Sequence, residues 1–204
     1  MSHSPFEGLL DDPDALTDAA WDRIYPDKIQ QLSEIHWTSL ELVRGILGEL
    51  KPGPDDRLLD FGSGVGKFCM LASLFSGCRV TGVERREHLH RIARWVARNV
   101  PLPRPVELIC ADGFDLDWSP YSIIYFYNPF QEYLHGLDAP TIDVVVPSDQ
   151  AYDALVSKTA ERLATLRPGT RIVTLHGWGG EFPPGYDQLQ VGLGAPSVEI
   201  WRRV

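Results

Sequence analysis

Four clusters of side chains could do chemistry together, and each follows a run of apolar residues. The first is Leu58-Leu59-Asp60-Phe61-Gly62-Ser63-Gly64-Val65-Gly66. Its glycines fall at every second position, so the backbone can turn sharply and bring bare N–H groups against a ligand. The second is Glu84-Arg85, with Glu84 20 residues beyond Gly64. A carboxylate at a strand end there can accept both hydroxyls of a ribose. The third, Asp112-Gly113-Phe114, sets an acid beside a ring. The fourth is Tyr127-Asn128-Pro129-Phe130. The Asn128 amide oxygen and the Pro129 carbonyl can hold the hydrogens of an incoming amine and keep its lone pair in line with an electrophile. The rings of Tyr127 and Phe130 can surround a cation with their faces.

The third glycine separates two ligand classes. A dinucleotide-binding turn follows G-x-G-x-x-G, with its last glycine where the helix packs on the strand. Here that glycine comes one residue early, and Lys67 stands in the later place. The D-x-G-x-G-x-G form, Asp60 through Gly66, resembles the first motif of class I S-adenosylmethionine-dependent methyltransferases. A nicotinamide or flavin site and a chance turn are the competing readings.

These groups need a scaffold to position them. Residues 1–28 are acidic and rich in turn formers, with a short helix expected near 15–24. Residues 29–50 repeat apolar types at helical spacing and read as one amphipathic helix, which the break KPGPDD ends. Strands are then expected over 57–61, 79–84, 106–111, 121–127 and 170–175, with helices over 67–76, 86–99 and 151–166. Two further strands, 188–191 and 198–202, have no helix between them. Such alternation implies an α/β, doubly wound, mostly parallel sheet of seven strands. A C-terminal antiparallel hairpin closes it and an N-terminal helical cap precedes it, within a single domain spanning 1–204: an acidic arm and cap over 1–50, and a Rossmann-like core over 57–204. Class I methyltransferases end in the same way. Residues 131–150 look like an insertion that forms part of a substrate wall, with Tyr133 and His135 near the site.

The resemblance implies roles. The loop with Gly62, Ser63, Gly64 and Gly66 wraps the amino-acid part of S-adenosylmethionine, and Asp60 orients it. Glu84, with Arg85 beside it, takes the ribose. Asp112 receives the adenine amino group, and Gly113 or Phe114 packs on the ring. Thr38 hydrogen-bonds the cofactor carboxylate from a segment that lies over the cofactor in many relatives. Amino-group methyltransferases commonly carry Asn/Asp-Pro-Pro-aromatic after the fourth strand; Asn128-Pro129-Phe130 resembles this with one proline missing. It also resembles the Asn-x-Phe site of the non-SET histone lysine methyltransferases, whose glycine loop likewise reads like GSGVG. Asn128, Pro129, Tyr127 and Phe130 are thereby implied as the catalytic group, Asn128 counting among the cofactor contacts as well.

Each group has a plainer reading. Asp60 can satisfy loop amides at a helix start, Glu84 can be a solvated acid, and Asp112 can make an Asx turn. Asn128-Pro129 can simply end a buried strand. His176, followed by Trp178 in a glycine setting, can line a substrate pocket as a base, or be structural.

Composition narrows the partners. The net charge of −9 argues against a sequence-independent grip on nucleic acid. The missing proline argues in the same direction. No lysine or arginine occurs between Arg104 and Lys158, an interval holding nine acids, which suits capture of a cationic substrate. The six arginines of 85–104 read mainly as a solvated helix face. No apolar run is long enough to span a bilayer, and the first residues lack the pattern of a secretory leader. Cys69, Cys78 and Cys110 read as reduced core residues of a cytoplasmic protein, with no metal site. The expected function is methyl transfer from S-adenosylmethionine to an amine nitrogen of a protein or small cationic substrate. Its rivals are a small-molecule O-methyltransferase and a non-catalytic binding module that kept the fold.

Overall fold

The computed structural model describes residues 6–31, 37–134, 146–189 and 198–204. The apolar runs pair as strands. β1 (Arg57–Phe61), β2 (Arg79–Glu84), β3 (Glu107–Cys110), β4 (Ile123–Tyr127) and β5 (Arg171–Leu175) lie parallel. β6 (Tyr186–Leu189) and β7 (Val198–Arg203) add the antiparallel pair. The order β3-β2-β1-β4-β5-β7-β6 is the expected seven-stranded, mostly parallel sheet, with the last strand inserted between β5 and β6. Strand order reverses between β1 and β4, so the crevice beyond their carboxyl ends is where this architecture binds ligands.

Side chains alternate across the sheet. On one face Leu58, Ile123, Tyr125 and Val173 join Trp21, Val43, Ile46 and Phe68. On the other, Leu59, Phe61, Ile124, Phe126 and Ile172 join Phe114, Trp118, Phe130 and Trp178. Both faces are covered, which is why β1 and β4 are nearly free of polar residues. In β1 the exceptions are Arg57 at its start and Asp60, which is buried.

The helices that follow the strands are α4 (Lys67–Ser76) after β1, α5 (Glu87–Asn99) after β2 and α6 (Asp149–Ala164) before β5. The N-terminal cap differs from expectation. A 3-10 turn (Pro13–Ala15) and α1 (Asp18–Asp22) replace the helix expected near 15–24. The continuous helix over 29–50 is replaced by α2 (Asp27–Gln30) and α3 (Leu40–Leu50), with 32–36 outside the described residues. Ser39 is extended and its hydroxyl accepts the Leu42 N–H at 3.3 Å, so a new helix starts there. Trp37 turns to pack on Tyr25, ring centroids 4.8 Å apart. The apolar face read from the sequence survives in α3, where Val43, Ile46, Leu47 and Leu50 are buried.

One ion cluster fastens this cap to the glycine loop. Lys67 opens α4 with no side-chain cap, at the positive end of the helix dipole, an unfavourable place for a cation. Its ammonium, only 4 % exposed, donates to Asp18 at 2.6 Å and to Asp22 at 2.8 Å. Asp18 also accepts the Leu40 N–H that begins α3, at 2.9 Å. Lys67→Met leaves buried Asp22 without its ammonium. We expect it to lower the unfolding free energy by about 2–4 kcal/mol in urea. An unchanged midpoint would mean that this cluster does not hold the cap.

Cys69 and Cys78 are buried as expected. Cys110 is exposed instead, because it ends β3, the edge strand. Among the described residues no helix is long and apolar enough to cross a membrane.

Candidate functional site

Beyond the carboxyl ends of β1, β2 and β4 lies a cleft of about 410 Å³. Every residue that the resemblance implied as catalytic or cofactor-binding lines it except Gly66, which caps α4 behind it. The glycine loop is shaped by β2. The N–H groups of Gly62 and Ser63 both donate to the Val83 carbonyl at 2.9 Å, and Gly66 N–H closes on Ser63 at 2.8 Å. Gly62 and Gly64 have φ of 82° and 53°, and nothing lies within 4 Å of where a Cβ would stand. They are therefore needed for their left-handed backbone, and their faces are left bare.

Glu84 ends β2, 2 % exposed. Its carboxylate accepts the Gly64 N–H at 2.9 Å, the Arg86 N–H at 2.8 Å and the Arg86 side chain at 2.8 and 3.2 Å. Burial by itself would raise its pKa. The Arg86 guanidinium and the two backbone N–H groups outweigh that and hold Glu84 below the usual glutamate range. Arg86 also reaches Glu132 at 3.5 Å. Arg85 pairs with Glu132 and donates to the Tyr133 hydroxyl at 2.8 Å. The end of β2 is thus strapped to the 3-10 turn Gln131–Tyr133 across the cleft.

Asp60 has the opposite electrostatics. Burial, with a smaller push from Glu84, raises its carboxyl to about 7 against the thiol hydrogen bond from Cys69 at 3.1 Å. Its folded pKa thus lies above the unfolded value, so the stability this group gives is complete below about pH 4 and is lost as pH rises through about 7. The span corresponds to roughly 4 kcal/mol. Asp60→Asn removes the penalty and keeps an acceptor for Cys69. Its melting temperature should match wild type below about pH 4, exceed it progressively as the pH rises toward 7, and keep a steady lead above that. A constant difference across that range would refute the assignment.

Asp112 makes the Asx turn weighed as its plainer role: its carboxylate accepts the Phe114 N–H at 2.9 Å. It lines the cleft as well. Gly113 must be glycine, since a Cβ there would run into the Phe61 ring. Phe114 and Phe130 stack at 6.1 Å in an aromatic cluster with Phe61 and Trp118. Phe130 is accordingly a buried wall of the cleft, while Tyr127 is half-buried at its mouth. Burial keeps the Tyr127 phenol above its usual pKa, so it stays neutral.

Asn128 follows β4 with φ 39°, a left-handed backbone next to a proline. Such strain in a loop at a switch point often accompanies function. Its side-chain N–H donates to Gln131 at 2.6 Å. Thr38 is buried and shares a 2.6 Å hydrogen bond with the Tyr125 hydroxyl, while Phe68 stacks on Tyr125 at 3.8 Å. Arg86 and Tyr125 also line the cleft, though neither was singled out from the sequence, and Gln131 and Glu132 line it from the start of the segment expected to form a substrate wall. Arg86 directly follows the expected Glu84-Arg85, the one signal that marks it. His176 is exposed, its ring 5.8 Å from Tyr127, and it does not line the cleft; Trp178 is core. His135 lies outside the described residues, and Tyr133 lines the cleft as expected.

Residues 37–180 match the family described as "Histone methylation protein DOT1". No curated protein sequence matches. Among solved structures the chain is similar to an RNA methyltransferase from Salinibacter ruber in complex with S-adenosyl-L-homocysteine. Identity is 22% and the TM-score 0.54, over 81% of this chain and 91% of that one. TrmN from Thermus thermophilus is similar at 19% identity and TM-score 0.57, over 82% of this chain and 49% of that one. A variant of MtNAS in complex with S-adenosylmethionine is similar at 14% identity and TM-score 0.55, over 98% and 71%. At these identities the structural likenesses speak for the fold.

Proposed function

The chain belongs to the DOT1 family of histone methylation proteins, and on that premise we propose that it methylates an amine nitrogen of a protein or small cationic substrate. The family and fold are those of S-adenosylmethionine-dependent methyltransferases, with S-adenosylmethionine as cofactor. One observation carries the reading: a buried, ionised Glu84 bonded to a bare glycine loop shares a cleft with the strained Asn128. The residues present fit the cofactor. The N–H groups of Gly62, Ser63 and Gly64 are bonded to Val83 and Glu84, so what Gly62 and Gly64 offer the cofactor is a surface free of Cβ atoms, and Glu84 can exchange Arg86 for ribose hydroxyls. Asp60 and Thr38 would orient the amino-acid end, and Asp112 with Phe114 the base.

Bound there, the cofactor supplies a methyl group on a cationic sulfur. The protein's part is position and charge. Asn128 Oδ1 and the Pro129 carbonyl accept the amine hydrogens and aim its lone pair. Tyr127 and Phe130 shield the site from water, and desolvation beside their rings favours the neutral, attacking form of an amine whose free pKa is about 10.4. The acids of 105–157 gather a cation more than they activate it. Nucleic acid remains the rival target, since one structural neighbour is an RNA methyltransferase, but the net charge of −9 opposes it.

The test is label transfer from radioactive S-adenosylmethionine to core histones, poly-L-lysine, transfer RNA and a neutral phenol. Label should enter the two polycations, with KM rising steeply with salt. Preferential labelling of RNA or phenol would overturn the proposal, as would a salt-independent KM.

A further inference from the structure

Asn128 can serve an amine only if its amide oxygen, and not its NH2, faces the acceptor site. The two ends are similar in shape and opposite in hydrogen bonding. The backbone around Asn128 is closed on both sides: its N–H donates to Leu175 at 3.1 Å, and its carbonyl accepts the Gln131 N–H at 3.3 Å. The side chain then has one free choice, a rotation that exchanges oxygen and nitrogen. Asn128 Nδ2 donates to Gln131 Oε1 at 2.6 Å. This engages the nitrogen end and leaves Oδ1 unconstrained by that contact, and both residues line the cleft. Gln131 is itself carried on a clamped turn, since its neighbours Glu132 and Tyr133 are held by Arg85.

We propose that Gln131 is a positioning residue that fixes the polarity of the Asn128 amide, presenting its oxygen as acceptor to the amine. With the amide reversed, two N–H donors would meet the N–H bonds of the incoming amine, and the lone pair would lose its aim. The inference rests on the reading that Asn128 receives an amine.

Three variants separate the possibilities. Gln131→Glu keeps an acceptor and has no donor, Gln131→Ala has neither, and Gln131→Lys offers donors alone. With core histones as probe, Gln131→Glu should keep kcat within about threefold, whereas Gln131→Ala and Gln131→Lys should lose about tenfold or more. KM for S-adenosylmethionine should hold in all three. A structural role would show no such rescue by glutamate. A second arm needs no methyl acceptor. In 15N-labelled protein the Asn128 side-chain NH2 pair, assigned by its absence in Asn128→Ala, should be well dispersed in wild type and Gln131→Glu and collapsed in Gln131→Ala. Wild-type turnover by Gln131→Ala, full activity of Gln131→Lys with loss in Gln131→Glu, or a collapsed pair in wild type each overturns the proposal. If Asn128→Ala is inactive while Gln131→Ala is not, the positioning role fails and the amine reading stands. If Asn128→Ala is itself fully active, the amine reading fails with it.

Discussion

Asn128→Ala should cut kcat for methyl transfer by about 10²- to 10³-fold, the range seen when one pre-aimed polar contact to a reacting group is deleted. S-adenosylmethionine affinity should change by less than about tenfold, because most of the proposed cofactor contacts come from the glycine loop and from Glu84. The effect is large because Asn128 is held by its neighbours: backbone bonds to Leu175 and Gln131 and the side-chain bond to Gln131 leave the amide little freedom. A water taking its place would have to be ordered afresh at each turnover. Alanine at φ 39° also strains the backbone, by about 1–2 kcal/mol. Asn128→Asp separates the two effects, since aspartate tolerates this conformation and keeps an acceptor. It should retain far more kcat than alanine and be at least as stable. Equal activity of all three proteins would remove Asn128 from the mechanism.

The second large effect belongs to Glu84. Two charge-assisted hydrogen bonds to ribose hydroxyls are worth about 1.5–3 kcal/mol each. The gain on binding is smaller, because Arg86 and the Gly64 N–H already occupy the carboxylate and Arg86 must give way. Glu84→Gln is therefore expected to raise the Kd of S-adenosylmethionine about 10²-fold. Calorimetric titration checks this. Arg86 keeps Glu132 as a partner in the variant, so the fold should persist. An unchanged Kd would place the ribose elsewhere in the cleft.

Much of this was legible because local rules and the fold agree. β1, α4 and β2 fall on the residues expected, where glycine and charged punctuation bounds apolar runs of one period. The glycine loop, Glu84, Asp112 and Asn128 converge because strand ends of a parallel sheet all open on one side. What was illegible depends on partners distant in sequence. Nothing in the period of 29–50 shows that Asp18, from another helix, accepts the Leu40 N–H, or that Trp37 leaves the helix for Tyr25. Lys67 looked only like a misplaced glycine; its ion pairs with Asp18 and Asp22 need the folded cap. The strap from Arg85 and Arg86 to Glu132 spans 46 or more residues, beyond any local pattern. Cys110 misled because an apolar neighbourhood in sequence became a sheet edge in space.

In the proposed mechanism the group aligned by Asn128 is an amine nitrogen. Tandem mass spectrometry of core histones after incubation with the enzyme and S-adenosylmethionine locates the transferred methyl group directly. Methylated lysine side-chain nitrogens are expected, absent with Asn128→Ala. Methyl groups found only on oxygen or only on added RNA, or the same lysine products from Asn128→Ala, would contradict that mechanism.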